Sequence, residues 1–488
     1  MKKIPSFIIL IVIFLVQSCS GFLDEESKGK VDESLLTTEE GLEAALTGAY
    51  KGLNQPWSFG ICNGTYHQIC AGADDMYCPT TDANGTQLDR CNPTNSNGSM
   101  GSTWNGLYNT ALGANRVINN YENCTGDAST INVIAGEAYF LRAFAYFTLV
   151  RLWGEIPLIT ASGYSEEDAS VGLSSVEDVY QLIEDDIANS IQLLGDARRN
   201  SEVGRPNKLV AKALQAEIFL TEAGWPLKKS GYYEKAAEVA KEVLDSSSNA
   251  GFSLETDYAD LFVNKEEENN ITTEDLFVIP ASTTDYVVFY GAWCEPGEIG
   301  GWNVIFAEVG FMNNFPEGPR KDATFYTETD DGVSWQDWQY KHPTILKLMK
   351  YPQGGQNNVS NCTSVLPMHV LRMSQTALTY AEAKARSEGP DAEAYSWLNK
   401  IRVRAGLSEY SGLSTEEFID AVVQERAWEF AGECVRWYDL LRLEMVPESF
   451  EGKDATYDAS NLHSSSDSDY TLPIPASEIL LNPNLDSE

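Results

Sequence analysis

From residue 37 onward, apolar side chains return at steps of three and four over long stretches, and several of these open on a residue suited to cap a helix. Thr37 and Glu40 have capping-box spacing, and Leu42, Ala45, Leu46, Ala49, Tyr50 and Leu53 then fall on one face. Ser174 with Glu177 opens the same pattern through Val179, Leu182, Ile183, Ile187, Ile191 and Leu194. Ser414 with Glu417 opens a third, where Leu413 and Phe418 are placed to staple across the cap. Residues 135–153, AGEAYFLRAFAYFTLVRLW, are apolar nearly all round, and Gly154 and Pro157 end them. Glu137, Arg142 and Arg151 interrupt this stretch, so it predicts a core helix rather than a membrane span.

Two segments resemble each other. Ala216-Glu217 runs to Gly224 and is followed by YYEKAAEVAKEVL; Ala381-Glu382 runs to Gly389 and is followed by AEAYSWLNKIRVRAG. Each reads as a helix, a glycine-containing turn and a returning helix, the layout of a degenerate tetratricopeptide unit. One such pair cannot bury its apolar face alone, so the pairs must stack. The expected fold is mainly α: a tetratricopeptide-like helical-pair scaffold with a loop-rich ligand-binding half. Over 250–367, and again over 54–103, Gly, Pro, Asn, Asp and aromatic residues replace the helical period. Loops this long inside a compact chain are functional or folded on their own.

The first residues have a different grammar. Lys2 and Lys3 precede an apolar run from Phe7 to Val16, then Gln17-Ser18-Cys19, the order of a secretory signal. The run is shorter than the ~20 residues a membrane helix needs. A cysteine at the processing point indicates a bacterial lipoprotein, cleaved before Cys19 and acylated on it, with an ordinary secretory leader as the alternative. Acyl burial contributes about 0.8 kcal/mol per CH₂, so two or more chains hold a protein on a membrane without spanning it. The expected division is therefore 1–18 signal peptide, 19–36 lipidated tether, 37–249 helical region with the binding-side loop 54–103, 250–367 aromatic ligand-binding region, and 368–488 C-terminal helical region.

With 72 acidic and 34 basic residues the net charge is −38, which disfavours nucleic acid or anionic lipid and favours a neutral ligand or a cation. Nine cysteines less Cys19 leave eight: Cys62, Cys70, Cys78, Cys91 and Cys124 crowd the first quarter, and Cys294, Cys362 and Cys434 are dispersed. An even count in an exported chain permits disulfides without assigning them. Cys434, inside a strongly helical segment, reads as a buried free thiol. Among His67, His342, His369 and His463 there is no H-E-x-x-H, and G-x-S-x-G and the P-loop are absent, which argues against a metalloprotease or serine hydrolase. A glycosidase needs only two carboxylates and stays open on these grounds.

Nine segments in order carry a family resemblance: CSGFLDEE, TTEEGLEAALTGAYKGL, WNGLYNTALGANRVI, GEAYFLRAFAYFTLVRLWGEIPL, GRPNKLVAKALQAEIFL, LTYAEAKA, LNKIRVRAGL, VVQERAWEFAGECVRWYDLLR and YTLPIPASEILLNPNL. The chain resembles the SusD/RagB-like family of glycan-binding outer-membrane lipoproteins of Bacteroidetes-type bacteria. The resemblance implies a non-enzymatic surface protein that captures oligosaccharide or polysaccharide and sits as a lid over a SusC-like TonB-dependent transporter, lipid-anchored and facing the cell exterior. It also implies that Asp24, Glu25 and Glu26, just after the lipidated cysteine, form a surface-export signal. Trp104, Tyr108, Asn115, Arg142, Trp153, Arg426, Glu429, Arg436 and Trp437 are read as scaffold residues, with Arg426 and Glu429 spaced to pair on one helix. The alternatives are a surface glycoside hydrolase and a helical-repeat scaffold or adhesion protein.

A sugar ring offers an apolar face and a rim of hydroxyls, so its site needs flat aromatic platforms beside amides, carboxylates or guanidinium groups. Trp293, Trp335 and Trp338 are the leading platforms, lying among polar and glycine-rich neighbours. Tyr340, Trp302, Tyr290, Trp57, Tyr77, Arg90 and Asp74 complete the expected contact set; the competing reading makes these rings the core of the loop-rich half. No cofactor is expected. Asp330, Asp331 and Asp337, or Asp74 and Asp75, are oxygen donors of the kind calcium takes, without EF-hand spacing.

Overall fold

The structure is a computed structural model that describes residues 33–55, 59–60, 64–162, 170–202, 204–262, 271–280, 290–349, 367–458 and 471–486. Cys19, Asp24, Glu25, Glu26, Trp57, Cys62 and Cys362 lie outside them. The longer helices are α1 (Glu39–Leu53), α2 (Gly98–Ile118), α3 (Ala128–Trp153), α4 (Val176–Leu193), α5 (Lys208–Glu222), α6 (Tyr232–Ser246), α7 (Met373–Glu388), α8 (Ala392–Arg404), α9 (Thr415–Glu429) and α10 (Val435–Arg442). Each helix from α1 to α6 packs on the next, and α1 also touches α3. Helix α7 packs on α6 and is followed by α8 and α9, so the two tetratricopeptide-like pairs, α5/α6 and α7/α8, lie side by side in one helical layer.

The caps show how local chemistry sets these helices. Ser414 and Glu417 form the expected reciprocal capping box, with bonds of 3.2 and 2.8 Å. At the other two starts the cap is one residue later than expected: Thr38 Oγ1 accepts from Gly41 N, and Ser175 Oγ from Asp178 N. Both sequences place two capping residues in tandem, and the second of each accepts the cap bond. Helix α3 is long and apolar enough to cross a membrane but is buried among its neighbours, a core helix as expected. Gly154, at φ 71°, ends it.

Two scaffold expectations need correction. Arg426 and Glu429 do not pair, although both are buried. Arg426 bonds Asp439 at 2.9 Å, whereas Glu429 takes Arg320, Arg372 and Arg404. Both groups are taken up by partners from other elements instead. Cys434 is a buried free thiol, but not inside a helix: the chain breaks between α9 and α10, and Cys434 sits there at φ 64°. Cys70, Cys78, Cys124 and Cys294 are also free thiols, and no disulfide joins two of the described residues.

The region 250–367 is built of short pieces pinned to the scaffold. Strand Asp275–Ile279 pairs antiparallel with Met368–Arg372, and Met76–Tyr77 with Phe306–Ala307. Arg372 bonds Glu274 at 2.6 Å and Glu429 at 3.1 Å, and Arg320 reaches Glu425 and Glu429. Three guanidinium groups around Glu429 hold its carboxyl down at about 2, against the burial that alone would raise it. This buried ion network fastens the loop-rich half to α8 and α9.

Candidate functional site

Segment 290–303 presents the open aromatic surface. The short helix Tyr290–Cys294 leads into a 3₁₀ turn at Gly297–Ile299, then Gly300 and Asn303 turn the chain through left-handed backbone (φ 93° and 56°). Asn303 Oδ1 accepts from Gly297 N at 2.6 Å, and Trp302 N donates to Ala292 O at 2.9 Å. The loop is thereby closed on itself, and Trp302 stands 39% exposed at its end. Trp293 backs it, half-buried, with ring centroids 6.4 Å apart and planes tilted by 45°. Gly64 passes against the Trp293 indole so closely that a Cβ there would lie 2.5 Å from the ring.

Polar groups from two further loops flank this pair. Glu298 accepts from Gln339 N at 2.7 Å, tying the Trp302 loop to the segment that carries Tyr340. The Tyr340 and Thr81 hydroxyls lie 2.9 Å apart, and Gln339 Nε2 donates to Tyr340 at 3.3 Å. Tyr77, an expected contact, lies beneath as part of the floor: it is buried and stacks on His342 at 3.8 Å with the rings nearly parallel. His342 Nδ1 lies 2.7 Å from Tyr340 O, so that nitrogen carries a proton and donates it to the carbonyl.

Trp335 and Trp338, expected as leading platforms, are instead core residues, 7% and 2% exposed. Residues 335–337 form a 3₁₀ turn, in which side chains three apart eclipse, so both indoles point the same way and go under the loop. The polar residues Gln336, Asp337 and Gln339 take the solvent side. Trp338 Nε1 donates to Val333 O at 3.1 Å, and Trp335 packs 5.4 Å from Tyr457.

Asp74 is committed to a bidentate ion pair with Arg436, both bonds 2.7 Å, and Asp75 is buried with Oδ2 accepting from Gly432 N. Burial pushes the Asp75 carboxyl up to about 6, with the Gly432 amide pulling the other way. Asp330, Asp331 and Asp337 are exposed, and among the described residues no three His, Cys, Asp or Glu side chains converge to hold a metal. Arg90 is half-buried at the C-terminal end of the short helix Ala83–Asp89. Tyr290 begins the helix ahead of Trp293, and its side chain lies outside the described residues.

What the arrangement offers is an exposed indole with a second behind it, on a loop that Glu298 ties to the segment carrying the Gln339 amide and the Tyr340 and Thr81 hydroxyls. The apolar face of a pyranose stacks on such a ring while its rim hydroxyls meet the polar flank. Thr81, Gln339 and His342 had no sequence signal, because the contacts that place them, with Tyr340, Glu298 and Tyr77 respectively, cross between loops far apart in the chain.

Comparison with known proteins gives a consistent result. The profile of the SusD family matches residues 232–487, and one described as "Starch-binding associating with outer membrane" matches 21–220. The chain is similar to SusD-like protein P2 of Formosa agariphila, 28% identical across 99% of both chains. Among solved structures it superimposes on the surface glycan-binding protein A from Bacteroides uniformis, with a TM-score of 0.78, 23% identity and coverage of 92% of this chain and 99% of that one. It also superimposes on a laminarin-binding SusD-like protein, with a TM-score of 0.75, 23% identity and coverage of 91% and 98%. At these identities the two structures establish the fold.

Proposed function

The chain belongs to the SusD family, and on that premise we propose that it is a cell-surface nutrient-binding lipoprotein that captures oligosaccharide or polysaccharide and delivers it to a SusC-like TonB-dependent transporter in the outer membrane. The observation that carries this reading is the exposure of Trp302 over Trp293, flanked by Glu298, Gln339, Tyr340 and Thr81. Arg90, Trp57 and Tyr290 extend the proposed contact set, by their place on the same two loop regions, 54–103 and 250–367. Acylation at Cys19 tethers the protein, Asp24, Glu25 and Glu26 direct it to the cell exterior, and the helical scaffold docks on the transporter.

Capture is passive in this proposal. Each sugar contact is weak, and affinity comes from several platforms together with tethering near the pore. The laminarin-binding relative makes neutral glucans the first ligands to try. Incubating the purified protein with polysaccharides separates the alternatives: retention without products supports a binding protein, released products identify a glycoside hydrolase, and neither outcome leaves a scaffold. Labelling with palmitate tests the anchor, since an unlabelled mature chain excludes acylation of Cys19.

A further inference from the structure

A second site lies between scaffold helices and the end of the loop 54–103, where Cys91, Asn92 and Pro93 form part of its lining. The C-terminal end of α3, the first turns of α4, the end of α5 and α10 enclose a cavity of about 580 Å³, closed on one side by Thr471–Ile474. This is the size of an ordinary small-molecule pocket. Its walls are aromatic: Trp153, Tyr180, Tyr438 and the half-buried Trp225.

Arg151 is the unusual group there. Its guanidinium carbon stands over two rings, 3.7 Å from the Phe147 centroid and 3.6 Å from that of Tyr438, and its Nε donates to Phe147 O at 2.9 Å. Those contacts hold the group and leave the terminal nitrogens as a donor fork. Among the described residues no carboxylate pairs with this half-buried group, whereas the buried Arg142, Arg320, Arg372, Arg426 and Arg442 each meet one. Arg442, on the same cavity, is already saturated by Glu382 and Asp439. Tyr180 is 2% exposed and lines the cavity, and among the described residues its hydroxyl has no hydrogen-bond partner. Glu155, the acidic residue at the rim, is turned to solvent.

An open guanidinium fork and a phenolic donor facing one aromatic-walled cavity form a carboxylate receptor with room for a ring. We propose that this cavity binds a carboxylated sugar, a hexuronic acid unit, with the carboxylate on Arg151, a donor bond from Tyr180 and the ring against Trp225. The site is distinct from the Trp302 patch and does not depend on it, so the protein would recognise acidic saccharide at one place and neutral glycan at another.

The test uses the purified full-length protein in detergent, titrated with glucuronate, glucose and inorganic sulfate while tryptophan fluorescence is followed. Glucuronate should bind saturably and at least about tenfold more tightly than glucose, the size of effect expected for a charge-assisted bond. Sulfate should compete weakly, because it fills the fork but not the ring space. Arg151→Gln should weaken glucuronate about tenfold or more and Tyr180→Phe by a smaller factor, while Trp302→Ala leaves it unchanged. Glucuronate should also protect Arg151 of the unsubstituted protein from phenylglyoxal, a readout independent of any folding defect in the variants. Equal binding of glucose and glucuronate, sulfate binding as tightly as glucuronate, or absence of protection at Arg151 overturns the proposal. Failure of neutral glycan capture alongside intact glucuronate binding would count against the function proposed above and leave this one standing.

Discussion

The hydroxyl of Tyr340 meets that of Thr81 at 2.9 Å, joining two loops 259 residues apart at the edge of the Trp302 patch. The Glu298 to Gln339 bond makes a second tie nearby. A neutral hydroxyl pair at an exposed position contributes about 1 kcal/mol or less to stability. Tyr340→Phe should therefore leave the urea midpoint nearly unchanged yet weaken glycan retention a few-fold, because the loops that flank the indole lose their alignment. A large loss of stability with unaltered retention would mean that the pair is structural only.

The two classes of tryptophan should separate cleanly by substitution. Trp338→Ala removes a buried ring and its bond to Val333, so it should cost about 3–5 kcal/mol. Trp302→Ala removes an exposed ring and should stay within about 0.5 kcal/mol. Chemical denaturation of both variants measures the difference.

Much of the scaffold was legible because its determinants are local. The Ser414–Glu417 box, the all-apolar run that became α3 and the glycine that ends it need only neighbouring residues. Tandem capping residues at 37–38 and 174–175 made two starts ambiguous by one position. The loop-rich half was legible as a place but not as a surface: Trp335 and Trp338 look solvent-facing by their polar neighbours, and only the eclipsed 3₁₀ turn turns both inward. Partner choice inside the ion network was likewise hidden, since Arg426 reaches Glu217 and Asp439, from two other elements, rather than the nearer Glu429.

The Glu429 network predicts a specific acid response. The carboxyls of Glu429 and Glu382 are held at about 2 by surrounding guanidinium groups, below the unfolded value of ~4.3. Their contribution is complete above the unfolded value and is lost as pH falls from there through about 2. Glu429→Ala removes one carboxylate from three buried arginines, which keep Glu425, Glu274 or Glu433 but are left in excess of their counter-charges, and should cost up to about 3 kcal/mol at pH 7. Thermal unfolding of the variant should also show a shallower loss of stability on acidification than the parent.

Asp75 predicts the opposite sign. Its folded carboxyl stands at about 6, above the unfolded ~3.9. Stability from the protonated form is complete below the unfolded value and is lost as pH rises through about 6. Asp75→Asn keeps an acceptor for Gly432 N and should make the variant gain on the parent as pH rises from about 4 to about 6, with the gain constant above that. Paired melting curves across that range give the answer.

Helices α1 and α2 touch at backbone distance. A Cβ on Gly113 would lie 2.7 Å from Ala49 Cα, whereas Gly48 on α1 has nothing within 4 Å. Gly48→Ala should gain up to about 1 kcal/mol from helix propensity. Gly113→Ala should lose net stability, since overpacking of about 1–3 kcal/mol outweighs that gain. Equal shifts for the two substitutions would show that the helices separate freely.

The most direct measurement is affinity electrophoresis of the purified protein through gels containing neutral glucans, laminarin first, for the parent and Trp302→Ala. The parent should be retarded without releasing sugar, and Trp302→Ala should run as in a glycan-free gel while its circular dichroism is unchanged. Retardation that survives Trp302→Ala would contradict the assignment of this patch as the capture site, and released sugar would contradict a binding function.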